Sequence, residues 1–137
     1  MPYGGGAFKT YTDSLFIQQK KLIRIMSHSH RYDHTHPLFT TLNLLKLPDI
    51  IYLQTCLFVY GALHCFPVNC NFHVLDHSNT RNVQTLQLPL CRTSHAQQSV
   101  QFRGPKSWNQ LPNNVKDTFS RPKFKQEIKN LIIAKYN

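Results

Sequence analysis

Apolar residues recur at helical spacing in the first third of the chain and again at its end, and between these stretches the spacing is lost. Residues 12–26 place Leu15, Phe16, Leu22, Ile23 and Met26 at such intervals, with Gln18, Lys20, Lys21 and Arg24 largely on other faces. This pattern predicts a helix capped by Thr12, Asp13 or Ser14. A loop rich in Ser and His follows. Pro37 then reads as the first position of a short helix that holds Leu38, Phe39 and Leu42 and stops at Asn43. Pro48 opens the next helix in the same way, with Asp49 well placed in its positive first turn, and the helix is expected to run to about Gly61. Ile50, Ile51, Leu53, Cys56, Leu57, Phe58, Val59 and Tyr60 leave it only a thin polar stripe, so burial on most sides is expected.

Over residues 64–99 the periodicity fails. Pro67, Asn69, Asn71, Asn79, Asn82 and Pro89 interrupt single apolar residues, which predicts a long irregular loop, either functional or poorly ordered, with Arg81 as its anchor. Residues 102–112 put a Gly-Pro break, the single tryptophan and a Leu-Pro stop too close together for a long helix. A compact knot is the expectation: Gly104 takes backbone angles closed to other residues, Pro105 opens one short helical turn, and Trp108 is buried by it. Leu111, preceding Pro112, is pushed out of helical geometry. A last helix starts near Ser120, with Pro122 just inside and Phe124, Ile128, Leu131 and Ile132 on one face. The fold class read from this pattern is mostly α: one small domain of about four helices with a long loop in the middle and no sheet of consequence. The first, third and last helices are expected to share a core around Phe16, Ile23, Phe58, Ile128 and Leu131, with Trp108 beneath.

Composition adds a charge argument. The chain of 137 residues carries 16 Lys and Arg against 6 Asp and Glu, a net charge of +10. Residues 32–99 balance, so the excess lies at the two ends. A field of this sign favours polyanions, nucleic acid first among them, through release of condensed counterions; the plainer alternative is a solvated surface. Lys125 and Lys129, four apart, repel each other mildly, which an anionic partner or a water-facing flank would both accommodate. The polar, glycine-rich start offers no secretion signal, so Cys56, Cys65, Cys70 and Cys91 are expected to be reduced thiols in an intracellular protein of cytoplasm or nucleus. The most apolar window, residues 50–63, is too short to span a membrane and is interrupted by Gln54 and Thr55.

Spacing argues against metal and catalytic chemistry. His28, His30, His34 and His36 cluster, but tetrahedral zinc needs two tight pairs separated by a real loop. Cys65 and Cys70 with His73 and His77 supply two pairs separated only by Asn71 and Phe72, too short to fold around an ion. No cofactor is expected. Two-metal phosphoryl transfer requires converging carboxylates, whereas the acids here are single and scattered, and Gly4, Gly5 and Gly6 open no phosphate loop. A Cys or Ser nucleophile beside a histidine can be composed too easily from eight histidines to carry weight.

The order of the pieces carries more than any one of them. Leu15-Phe16-Ile17-Gln18-Gln19-Lys20-Lys21-Leu22-Ile23-Arg24, then His34-Thr35-His36-Pro37-Leu38-Phe39, then Pro48-Asp49-Ile50 with Gln54 through Tyr60, resembles the region after the polymerase core in non-LTR retrotransposon reverse transcriptases, jockey-like endonuclease-reverse transcriptases in particular. His77-Ser78-Asn79-Thr80-Arg81 resembles the family's His-x-Tyr-Asn-Thr-Arg segment, with Ser78 where Tyr is usual and one position fewer. Phe102 through Pro112 resembles its Gly-Pro-x-x-Trp-Asn-x-Leu-Pro signature, and residues 119–131 its terminal basic helix. The likeness spans nearly the whole chain. It implies a post-thumb, C-terminal helical fragment of an RNA-directed DNA polymerase, lacking the palm with its catalytic aspartates and therefore non-catalytic by itself. The start at Met1, close ahead of a helix that in the family continues from the thumb, reads as a truncated element or a partial gene.

The expected function is non-specific binding of RNA or DNA, beside an upstream polymerase domain if one is encoded. The phosphate contacts assigned are Lys20, Lys21, Arg24, Arg103, Lys106, Lys123, Lys125 and Lys129. Two other readings stand: a module whose basic amphipathic last helix docks on an acidic groove or membrane surface, and a truncated remnant without activity.

Overall fold

The computed structural model describes residues 9–66 and 85–136. Among them the chain is helical, as the pattern predicts, in the order α1 (Lys9–Met26), α2 (Thr35–Thr41), α3 (Leu47–Gly61), α4 (Ser94–Gln97), α5 (Val100–Asn109), α6 (Asn113–Lys116) and α7 (Arg121–Ala134), with a 3-10 turn at Leu63–Cys65 after α3. The count exceeds four because α5 is a full helix where a knot is expected, and because α4 and α6 are single turns of four residues, too short to leave a periodic signal. The loop expected over 64–99 therefore ends earlier, at α4, where Thr93 caps the turn by accepting the Ala96 amide at 3.3 Å. Arg81 lies outside the described residues.

Local chemistry explains the first two helix ends. Neither glycine nor proline stands between Lys9 and Thr12, so α1 starts ahead of the expected caps, and Thr12, Asp13 and Ser14 lie inside it. α1 and α2 both end in a left-handed residue, His28 (φ 51°) and Asn43 (φ 52°). At each end the two amides that follow the cap bond back to the last turn: Ser29 to the Arg24 carbonyl at 3.0 Å and His28 to that of Ile25 at 3.2 Å, Leu44 to Phe39 at 2.9 Å and Asn43 to Thr40 at 3.1 Å. His28 thus terminates a helix.

α3 is the central element. It packs most extensively against α5 and next against α7, while α1 leans on α2 and α3. The main core joins Leu53, Cys56, Leu57 and Val59 of α3 to Trp108 of α5, Val115 of α6, Phe124, Ile128 and Ile132 of α7, and to Leu86 and Leu111. Phe124, fully buried, stacks on Tyr60 (ring centroids 4.4 Å apart) and lies 5.9 Å from Trp108. The shared core is thus α3–α5–α7 in place of the expected first, third and last helices. Phe58 and Leu131 are 38% and 37% exposed, because α3 and α7 turn their other faces inward. Ile23 of α1 is buried, but outside the main core, and Phe16 is half-buried against Phe39 of α2 at 6.3 Å.

The expected knot is instead one helix of ten residues that runs through Pro105. A residue before proline normally avoids helical angles because its Cβ meets the proline ring; Gly104 has no Cβ, so the helix continues. The same absence lets α5 approach α3. A Cβ built on Gly104 would stand 2.9 Å from Cγ2 of Val59, which is itself fully buried. Gly104 has no positive φ. It is required for close packing, not for unusual backbone angles. Pro105 lacks the amide that would bond the Gln101 carbonyl, and its ring is buried among the core residues.

Asn109 closes the domain. Its side-chain amide donates to the Leu86 carbonyl and its oxygen accepts the Leu86 amide, each at 2.9 Å. The asparagine thus pairs with Leu86 as a neighbouring strand would, and holds that buried leucine over the core.

Candidate nucleic-acid interface

The eight predicted cations fall on three helices. Lys20, Lys21 and Arg24 stand on α1, Arg103 and Lys106 on α5, and Lys123, Lys125 and Lys129 on α7. On α1 the Lys20 ammonium lies 4.3 Å from the centre of the Phe16 ring, and Arg24 donates from Nε to the Asp33 carbonyl at 3.1 Å. Lys21 is exposed. On α7, Phe124, Ile128 and Ile132 are buried in the core, which leaves Lys123 and Lys125 exposed and Lys129 half-buried.

Arg103 and Lys106 stand three positions apart on α5. They line a groove of about 410 Å³ between α4 and α5, with Ser94, Gln97, Gln98, Phe102, Ser107 and Gln110 completing its walls. The Lys106 ammonium stands 5.9 Å from the Phe102 ring centre. Gln98 contributes a buried side-chain oxygen that has no hydrogen-bond partner. That oxygen can only accept, and the Gln97 amide already donates to the Cys91 carbonyl at 3.1 Å, so the groove's capacity for an anion rests on Arg103, Lys106, Gln110 and the Ser94 and Ser107 hydroxyls, with Phe102 as its ring. These groups suit a phosphate with its attached sugar or base.

Ser94, Gln97 and Gln98 escaped the sequence reading because their stretch was read as loop. The signal that could have found them is the Thr93 cap, whose hydroxyl starts α4.

The histidine cluster has other work. His28 ends α1, the His30 amide bonds the Asp33 carboxylate at 2.6 Å, and the His36 ring meets Tyr136 edge-on at 5.9 Å. Among the described residues no three His, Cys, Asp or Glu side chains are grouped to hold a metal ion. Cys70, His73 and His77 lie outside those residues. Cys56 is fully buried, and burial pushes its thiol up to about 12, so it stays protonated and packs as a small apolar group. No described helix is long and apolar enough to cross a membrane.

Comparisons with protein-family models, curated proteins and solved structures returned no match for this chain.

Proposed function

We infer that the chain is a non-catalytic, basic helical module that binds RNA or DNA without sequence preference, in the manner expected of the C-terminal part of a non-LTR retrotransposon reverse transcriptase. The observation that carries this reading is the α4–α5 groove, where Arg103 and Lys106 stand beside hydroxyl, amide and aromatic groups. Cations that share one groove with donors of fixed geometry favour a polyanion more than scattered surface lysines do. The family likeness and the +10 charge support the same class of ligand. The order of motifs in the chain, ending in the Gly-Pro-x-x-Trp-Asn-x-Leu-Pro segment, supports the retrotransposon origin.

Docking of α7 on a membrane or an acidic protein groove is less favoured. The apolar stripe such docking uses, Phe124, Ile128 and Ile132, is already buried in the core.

The test is a set of binding titrations with single-stranded RNA, duplex DNA and anionic vesicles at two salt concentrations. The reading predicts binding to both nucleic acids, little dependence on sequence, and a loss of affinity of at least tenfold as salt rises fourfold. Binding to vesicles alone, or no salt-sensitive binding by a folded sample, contradicts it.

A further inference from the structure

We propose that α1 is a self-association helix, and that a second copy of this chain covers its outer face in a parallel, two-fold coiled-coil pairing. The face on which Phe16, Gln19 and Ile23 lie is occupied: Phe16 meets Phe39, Ile23 is buried, and Gln19 bonds both the Leu45 carbonyl (2.9 Å) and the Leu47 amide (2.8 Å). Among the described residues the adjoining face is not. Tyr11 is 67% exposed, Leu15 60%, Leu22 59%, Ile25 69% and Met26 61%. Scattered exposed leucines need no explanation, but an aligned apolar strip along one helix marks a contact surface.

The spacing identifies the occupant as a helix. Tyr11, Leu15, Gln18, Leu22 and Ile25 follow each other at intervals of four, three, four and three, the repeat that keeps one seam facing a partner helix. Gln18 selects the partner and its direction. In a parallel pair of identical helices each seam residue meets its own copy, so the two Gln18 amides can bond one another. Opposed to leucine in an antiparallel pair, the same amide loses its water and gains no partner.

Charge permits the pairing in spite of the basic helix. The Lys20 ammonium rests on Phe16 and Arg24 is bonded to the Asp33 carbonyl, so two of the α1 cations are held away from the seam. Five large apolar side chains, each more than half exposed, make a small interface, near the lower bound of about 1,000 Å² for a specific contact. Association is therefore expected in the micromolar range, about 1–100 µM.

Sedimentation of the full chain, nuclease-treated and at high salt to exclude bridging by nucleic acid, reads the proposal directly. A concentration-dependent monomer–dimer equilibrium is expected. Leu22→Glu and, separately, Leu15→Glu should weaken it at least tenfold while leaving helix content, and thermal unfolding at concentrations where the native chain is monomeric, unchanged, since both side chains are largely exposed in the monomer. Leu22→Cys in a background with Cys65, Cys70 and Cys91 replaced by Ser should oxidise to a covalent dimer, because residue 22 faces its own copy. A monomer at all concentrations, a trimer or larger species, a dimer indifferent to both glutamate variants, or failure of the cysteine variant to cross-link would overturn it.

Discussion

α3 and α1 carry similar numbers of large apolar residues and use them differently. On α3 the apolar groups point in several directions, and α5, α7 and the segment at Leu86 close around it until Cys56 and Val59 are wholly excluded from water. On α1 one line of contacts reaches α2 and α3, and a second line of equal apolar character faces outward. The lesson is that burial on a helix is decided by how many neighbours the rest of the chain can supply. α5 and α7 both lie against α3 and cover it. The consequence for energetics is a sharp contrast between substitutions of similar chemistry in the two regions.

Trp108→Ala should show the largest effect. Trp108 is 4% exposed and packs with Phe124, so its removal should cost about 3–5 kcal/mol in denaturant unfolding. Natural domains have a total stability of about 5–15 kcal/mol, and at the lower end of that range the loss approaches complete unfolding. Gly104→Ala comes next. One methyl group driven against fully buried Val59 should cost about 1–3 kcal/mol, whereas glycine-to-alanine in an open helix interior is stabilising. A neutral or stabilising result would mean that α5 sits farther from α3 than described. Asn109→Ala should cost about 1–2 kcal/mol by leaving both Leu86 backbone groups without their partner.

Smaller effects are expected toward the chain end. Tyr136 receives the Lys46 amide at 3.1 Å and donates to the Asp49 carboxylate, tying the end of α7 to the start of α3. Burial, then the bond to Asp49, pushes its hydroxyl up to about 12 from an ordinary value of 10.0. A raised folded-state value means that this stabilisation is complete below about pH 10 and is lost as pH rises toward 12. Tyr136→Phe should therefore cost about 1 kcal/mol at neutral pH and reduce the fall of stability above pH 10. Smallest of all, Leu22→Ala on the open face of α1 should change monomer stability by less than about 0.5 kcal/mol. A cost comparable to that of Trp108→Ala would erase the contrast between the two regions.

Periodicity made the long helices legible. The proline positions near the starts of α3 and α7 and the left-handed stop at Asn43 were readable for the same reason: each is set by the residue's own backbone chemistry. What escaped depends on partners distant in sequence. Gly104 and Pro105 read locally as a break, yet Val59, 45 positions away, turns the glycine into a packing requirement. Asn109 looks like a helix end until Leu86 is found between its two amide atoms. The apolar face of α1 was read as a single face. Only the position of α2 and α3 separates Phe16 and Ile23 from Leu15, Leu22 and Met26. For the candidate site, charge named Arg103 and Lys106, but the groove walls supplied by α4 could not be seen while that stretch carried no periodic signal.

The most direct test of the functional account is the salt dependence of nucleic-acid binding by the native chain and by the double variant Arg103→Gln, Lys106→Gln. The groove reading predicts that affinity for single-stranded RNA falls for the variant and that the slope of log affinity against log salt drops by about 1–2, one unit or less per lost phosphate contact, with folding unchanged. An unaltered slope and affinity would contradict the assignment of the α4–α5 groove as the nucleic-acid contact.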